Sequence, residues 1–300
     1  MLRNAQGYVR SISLISGFTI AIISPYFQSS AYAGIIGNLD TPNSYVSFGS
    51  STNFPWVGQF VPLNYDKETK TIIPSPSGIS TCTSTLIHAT KEFGLWALTA
   101  GHCAYVKDTD TGKITSYNSG AVYFGTGNDI DRDKYLLLQD TIVKREYVSS
   151  VNLNSSKGFL GEVEIDIALI KLVNPESTDV LLPSWLSTVL ESKPLPQVPK
   201  TLLAHNASYI GEFVGVGAQG SGASGIIGDG VYSNAYLGGR NYVRNSSDFL
   251  LYDLDGLNPR TNFDGNPALS LEYSPTSGDS GSPIFIDGKL VGVHSRSQGG

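Results

Sequence analysis

Residues 95–103 read Leu95-Trp96-Ala97-Leu98-Thr99-Ala100-Gly101-His102-Cys103. A short apolar run of this kind is strand-like, and it stops at a glycine. The histidine that follows stands at a strand-to-loop corner, beside a cysteine that can pin the backbone. Similar runs recur on both sides. Trp56–Pro62, Ser84–Ala89, Ala121–Phe124 and Asp140–Tyr147 are short and β-rich, and Ile165–Val173 is a longer apolar strand. Clusters of Gly, Asn, Asp and Ser separate them. The stretch Asn174–Lys200 is proline-rich, with one short helix expected near Leu186–Ser192. A second set of strands is expected at Leu202–Ala204, Tyr209–Gly217, Phe249–Asp253, Pro283–Ile286 and Leu290–Ser295. No internal repeat stands out. The pattern predicts an all-β chain of two antiparallel barrels with a proline-rich connection.

Bulk properties narrow the class. The chain has 300 residues, 40% hydrophobic and 15% charged, which is enough apolar material for a core and excludes a disordered chain. Its 33 glycines favour a turn-rich β architecture. A net charge of -6 and a pI near 5.2 argue against nucleic acid as a partner, because phosphate binding needs a basic face.

The amino terminus reads as a secretory signal over residues 1–33. Arg3 and Arg10 make a basic start, Ser11–Ile23 is mostly apolar, and Ala31-Tyr32-Ala33 is a small-x-small cleavage site. The apolar run is shorter than the ~20 residues a bilayer span needs. Residues 34–300 are therefore expected to be exported, to the cell exterior or a periplasm, with no membrane attachment once the signal is removed. Export permits disulfides, and the two cysteines, Cys82 and Cys103, form one even pair. Loop-closure arguments give such a bond about 3 kcal/mol. Two cysteines and four histidines without ligand spacing, and no HExxH, imply no metal; no cofactor is expected either.

Two motifs fail on inspection. Gly215-x-Gly217-x-x-Gly220 matches a dinucleotide fingerprint, but Ser221–Gly230 is too glycine-rich to begin the required helix. Asp129-x-Asp131-x-Asp133 has the spacing of a calcium loop, but Lys134 stands where the loop needs glycine. A solvated acidic hairpin tip fits it better.

Three stretches carry chemistry. His102 is the first. The second is Gly278-Asp279-Ser280-Gly281-Ser282-Pro283. A serine hydroxyl is a weak nucleophile until a base takes its proton. Flanking glycines let the backbone turn sharply and aim the N–H groups of Gly278 and Ser280 at one point, as an oxyanion hole. The third is Glu164-Ile165-Asp166-Ile167-Ala168-Leu169-Ile170. Asp166 is flanked by apolar residues and points somewhere dry, so its carboxylate needs a hydrogen-bonding partner, and an imidazole N–H is one.

TAGHC, DIALI and GDSGSP, in that order, resemble the chymotrypsin-like (trypsin-like) serine proteases, whose chain order is His, Asp, Ser. The resemblance runs from about Ile35 to the C-terminus. It implies two six-stranded antiparallel barrels, the first over about 34–175 and the second over about 200–300, with the site between them. It implies His102 as base, Asp166 as the acid that orients it, Ser280 as nucleophile, and protein or peptide substrates cut by a monomer. It also implies that Asp279 pairs with a liberated amine, and Ile35-Ile36-Gly37-Asn38 resembles the family's processed start. The family continues beyond the point matching Ser295 with a strand and a helix, so the second barrel is expected to be cut short at Gly300.

The same resemblance places a specificity pocket. Ser274, six residues before Ser280, takes the floor position, where a preference for Lys or Arg usually needs aspartate. Ser277, His294, Ser295 and Ser297 surround the pocket, and Ser277, His294 and Ser297 match the serines and histidine that hold an acidic side chain in glutamyl endopeptidases. Hydroxyls and an imidazole suit a carboxylate. Two alternatives remain: an inactive homologue that binds a partner, and the protease domain of an adhesin.

Overall fold

The computed structural model describes residues 34–36, 42–66, 71–73, 81–107, 114–148, 163–176, 182–201, 203–217, 219–221, 225–226, 236–246, 249–252, 269–276 and 278–295. The signal expected over 1–33, and the pocket serines Ser277 and Ser297, lie outside these residues.

The chain begins with β1 (Gly34–Ile36) and α1 (Pro42–Gly49). Strands β2 (Val57–Asp66), β3 (Thr71–Ile73), β4 (Cys82–Thr90) and β5 (Gly94–Ala100) follow. A single 3-10 turn at Gly101–Cys103 leads to the small ladder of β6 (Tyr105–Lys107) and β7 (Ile114–Ser116). Next come β8 (Ser119–Thr126), β9 (Asp129–Val148), β10 (Val163–Val173) and α2 (Ser184–Ser192). The second half holds β11 (Ser208–Gly215), β12 (Gln219–Ser221), β13 (Gly225–Ile226), β14 (Leu237–Ser246), β15 (Phe249–Leu251), β16 (Tyr273–Ser274), β17 (Pro283–Ile286) and β18 (Lys289–Val293).

The architecture is all-β, as the sequence indicates. Strands β2-β4-β5-β10-β9-β8 pair antiparallel in that order, and β8 returns to β2, which closes a six-stranded barrel. Closure leaves no edge among these six strands. Period-two burial explains which side chains fill it. Along β5, Leu95, Ala97 and Thr99 are buried while Trp96 and Leu98 are less so. Along β10 the inward row is Asp166, Ala168, Ile170 and Leu172. Phe60, Leu86, Phe124 and Leu136 complete the interior, each fully buried apolar side chain contributing about 1.5–3 kcal/mol. Helix α2 adds Leu186 to this cluster and sets Trp185 against Phe124, with ring centroids 5.3 Å apart.

The second half is an antiparallel sheet ordered β15-β14-β11-β17-β18. Its core is Phe213, Leu237, Val243, Tyr252, Tyr273 and Ile284, joined by Tyr45 from α1. β1 and α1 thus join the second half in space although they precede the barrel in sequence. Strand β1 pairs with both β12 and β16.

Three local differences from the sequence reading have physical causes. No strand forms at Leu203–Ala204; the Ala204 N–H donates to the Tyr209 hydroxyl at 2.9 Å instead of to a ladder. The runs Ala121–Phe124 and Asp140–Tyr147 belong to one long hairpin, because the charged segment from Asp129 onward continues as strand. At its tip Asp131 accepts from the Thr126 hydroxyl and the Asp133 N–H, and Lys134 lies 3.5 Å away. Strand β14 was not expected. It carries two glycines and two arginines, and Gly238 lies so close to β11 that a Cβ there would sit 2.5 Å from the Phe213 carbonyl.

Candidate active site

The end of β5 and the start of the inward row of β10 meet. Ala100 pairs with Ile167, so the turn carrying His102 emerges beside Asp166. Gly101 permits the approach; a Cβ there would lie 2.6 Å from Asp166 Oδ1. Asp166 is 5% exposed and accepts three hydrogen bonds. The His102 backbone N–H donates to Oδ1 at 2.7 Å, His102 Nδ1 bonds Oδ2, and the Ser295 hydroxyl donates to Oδ2 at 2.7 Å. An ionised carboxylate only accepts, so Nδ1 carries the proton and Nε2 is left as the basic nitrogen. Burial pushes the Asp166 carboxyl up, but the bonds and charge of His102 and the Ser295 hydroxyl outweigh it and hold the group below the ordinary carboxylate value.

A disulfide between Cys82 and Cys103 fixes the corner from the side. Cys82, His102 and Cys103 form a tight group of ligand-type residues, but the two sulfurs are joined to each other.

Ser280 enters from the second half, in the turn that precedes β17. Gly278 and Gly281 bracket it with φ of 91° and 87°, a region that L residues with a Cβ avoid. Backbone bonds fix the turn on three sides. Thr83 N–H donates to Ser280 O at 2.8 Å, Gly281 N–H to His294 O at 2.7 Å, and His294 N–H to Ser282 O at 2.8 Å. The N–H groups of Gly278 and Ser280 engage no acceptor among the described residues. The Ser280 hydroxyl donates to Ser295 O at 3.4 Å, and among the described residues no hydrogen bond joins it to His102.

The structure therefore brings His102, Asp166 and Ser295 into one bonded group, with the Ser280 turn tied to the same strand end. The residues expected to form a pocket are less gathered. Ser274 is fully buried and its hydroxyl has no partner among the described residues. His294 is 3% exposed, and its Nδ1 bonds the Tyr252 hydroxyl. Burial, and then the nearby His102 imidazole, push the His294 imidazole down to about 3, against an opposing pull from Asp166, so it is uncharged at neutral pH.

Sequence reading missed three contributors, Thr83, Tyr252 and Tyr273, and gave Ser295 a pocket position only. The structure has the Ser295 hydroxyl donating to the Asp166 carboxylate. Thr83 spans the two halves: its hydroxyl donates to Gly278 O at 3.4 Å and accepts Val216 N–H at 3.3 Å. Tyr252 holds His294, and Tyr273 holds Asp279. Only Thr83 had a local signal, its place beside Cys82.

No protein-family model matches the chain, and no curated protein matches it. Solved structures with a similar course include the thermostable serine protease AL20 from an extremophilic microorganism, at 13% identity and a TM-score of 0.43 over 81% of this chain and 83% of that one. A Glu endopeptidase in complex with MPD is 17% identical, with a TM-score of 0.41 over 82% and 81% of the two chains. The protease Anisep from Arthrobacter nicotinovorans is 14% identical, with a TM-score of 0.45 over 83% and 87%. Likeness at this level leaves the chemistry to be read from this chain's own residues.

Proposed function

We propose that the chain is a secreted serine endopeptidase that cleaves peptide bonds through an acyl-enzyme. The observation that carries this reading is the His102–Asp166–Ser295 hydrogen-bonded group beside a glycine-bracketed serine. In the reaction, the Ser280 hydroxyl turns from Ser295 O toward His102. Its oxygen attacks the scissile carbonyl as His102 Nε2 takes the proton. Asp166 stabilises the imidazolium, and the Gly278 and Ser280 N–H groups receive the oxyanion. His102 then returns the proton to the leaving amine, and water repeats the sequence to release the acyl group.

Cleavage after Glu or Asp is part of the proposal. What supports it is His294, an uncharged imidazole on the strand end that also carries Ser295, as a donor for a substrate carboxylate. A second reading, a binding protein without activity, draws on the Ser280 hydroxyl facing Ser295 O and not His102. A fluorophosphonate probe separates the two. Covalent labelling of Ser280, lost in Ser280→Ala, is expected; an unlabelled but folded chain supports the binding protein. Peptides differing only before the cut test the acidic preference, and a preference for Arg or Phe there rules it out.

A further inference from the structure

Asp279 lies next to the nucleophile, is fully buried, and has no cation against it among the described residues. A carboxylate in such a place needs hydrogen bonds or a positive charge. Here the bonds come from neutral groups. Oδ1 accepts the Gly217 N–H at 2.6 Å. Oδ2 accepts the Thr276 N–H at 2.9 Å, the Tyr273 hydroxyl at 3.1 Å and the Thr276 hydroxyl at 3.4 Å.

These bonds are mechanically connected to the oxyanion donors. Asp279 N–H donates back to Thr276 O at 3.0 Å, and Ser282 N–H donates to Asp279 O at 2.8 Å. The turn carrying Gly278 and Ser280 is thus clamped at its middle residue by side chain and backbone together. Gly217 is required for the closeness, since a Cβ there would lie 2.5 Å from Asp279 N. Ile35, the residue whose amine the sequence resemblance assigns to Asp279, has its backbone paired with Ser274 on one side and Gly220 on the other.

We propose that Tyr273 and Thr276, with the Gly217 N–H, are positioning residues that take the place of a charged amine at Asp279, so that the oxyanion turn of this chain is set before any cleavage at Ile35. This rests on the serine endopeptidase reading. The titratable groups beside the carboxylate are Tyr273 on β16 and Tyr252 just beyond β15. Burial, with the Asp279 charge adding to it, raises both well above the ordinary tyrosine value. Both remain hydroxyl donors, and no Lys, Arg or His among the described residues contributes at Asp279.

The test uses the purified chain, its α-amine carbamylated by cyanate near pH 7, alongside Tyr273→Phe and Thr276→Val. Steady-state kinetics on an ester substrate are combined with 13C NMR titration of the aspartate carboxyls. The α-amine reacts ahead of lysines at that pH because its pKa is about 2.5 lower. Carbamylation is expected to leave kcat within about 2-fold and the Asp279 titration unmoved, as electrostatic stabilisation of the turn does not involve the amine. Tyr273→Phe is expected to lower kcat about 10-fold with KM unchanged, and to move the Asp279 midpoint upward, because a donor to the charged form is lost. Thr276→Val moves both in the same sense, by less. Loss of activity on carbamylation, or a Tyr273→Phe midpoint equal to the parent's, overturns the proposal. If the parent chain does not label with fluorophosphonate, the endopeptidase reading fails by itself, and the carboxyl titrations still decide what holds Asp279.

Discussion

Replacing Gly281 by alanine tests how the Ser280 turn is seated against the barrel. Gly281 has φ of 87°, and a Cβ there would stand 2.1 Å from Thr83 O, 2.3 Å from Thr99 Oγ1 and 2.9 Å from Ala100 N. Two of these atoms are backbone, and the third is fixed by its bond to Thr83 O at 2.7 Å. None is the free end of a flexible side chain, so the turn must move instead. Left-handed strain on alanine is about 1–2 kcal/mol and overpacking adds about 1–3, so the change costs about 2–5 kcal/mol. At about 2–4 °C per kcal/mol for a chain of this size, the melting temperature falls by roughly 10 °C. Displacing Ser280 by even 1 Å costs about 100-fold in reaction with a fluorophosphonate. Gly288→Ala is the control. Its φ of 71° imposes similar strain, but nothing lies within 4 Å of the added Cβ, so only about 1 kcal/mol and no loss of labelling are expected. Thermal melting and probe-labelling rates of the two variants are compared with the parent. Equal behaviour of Gly281→Ala and Gly288→Ala would refute the reasoning, since it would mean that contact with β4 and β5 does not hold the turn.

Three further outcomes follow from the site. Asp166→Asn removes the acceptor that fixes the His102 tautomer, and labelling is expected to slow by about 10⁴ with the fold intact by circular dichroism. Ser295→Ala removes one donor to a carboxylate whose pKa is held low. That bond stabilises the fold above the ordinary carboxylate value and is lost as pH falls through the folded value, so urea unfolding should show a deficit of about 1.5–3 kcal/mol at pH 7 that closes in acid. Asp279 has the opposite sign. Burial raises it to about 6, against the four hydrogen bonds, so the stability tied to its proton is complete below about 4 and is lost as pH rises through about 6. That change is about 3 kcal/mol, and Asp279→Asn should flatten the corresponding part of the urea-unfolding pH profile.

What could be read from the sequence was local. The alternation along β5 and β10, with a glycine at one strand end and an aspartate on the inward row of the other, is enough to single out His102 and Asp166. The two glycines around Ser280 likewise announce their positive φ. Two of the residues that were missed act across long separations. Thr83 meets Gly278 at a separation of 195 positions, and Tyr252 meets His294 at 42. Strand β14 carries no alternation because its close contact with β11 demands glycine, and helix α1 shows as a helix only because Tyr45 has a core to enter. Nothing in a short window distinguishes Tyr273 from any other strand tyrosine. Its partner Asp279 is only six residues on, but the sequence does not show that the intervening turn folds the carboxylate back onto the hydroxyl.

The two buried aspartates show why burial alone does not decide a carboxylate's state. Asp166 and Asp279 each accept several hydrogen bonds in dry surroundings, yet their pKa values move in opposite directions. Asp166 faces an imidazole able to carry charge, and that charge joins the hydrogen bonds in favouring the anion. Among the described residues Asp279 faces amides and hydroxyls, which reduce the penalty of burial without cancelling it. On acidification Asp279 therefore takes a proton well before Asp166. Protonation removes the negative charge that strengthens the Gly217, Tyr273 and Thr276 bonds to this carboxyl. The turn that presents the Gly278 and Ser280 N–H groups is then held by hydrogen bonds to a neutral carboxyl while Asp166 is still ionised. Carboxylates pushed apart in this way divide the work. In the proposed mechanism Asp166 orients the base, and Asp279 holds the turn that carries Gly278 and Ser280.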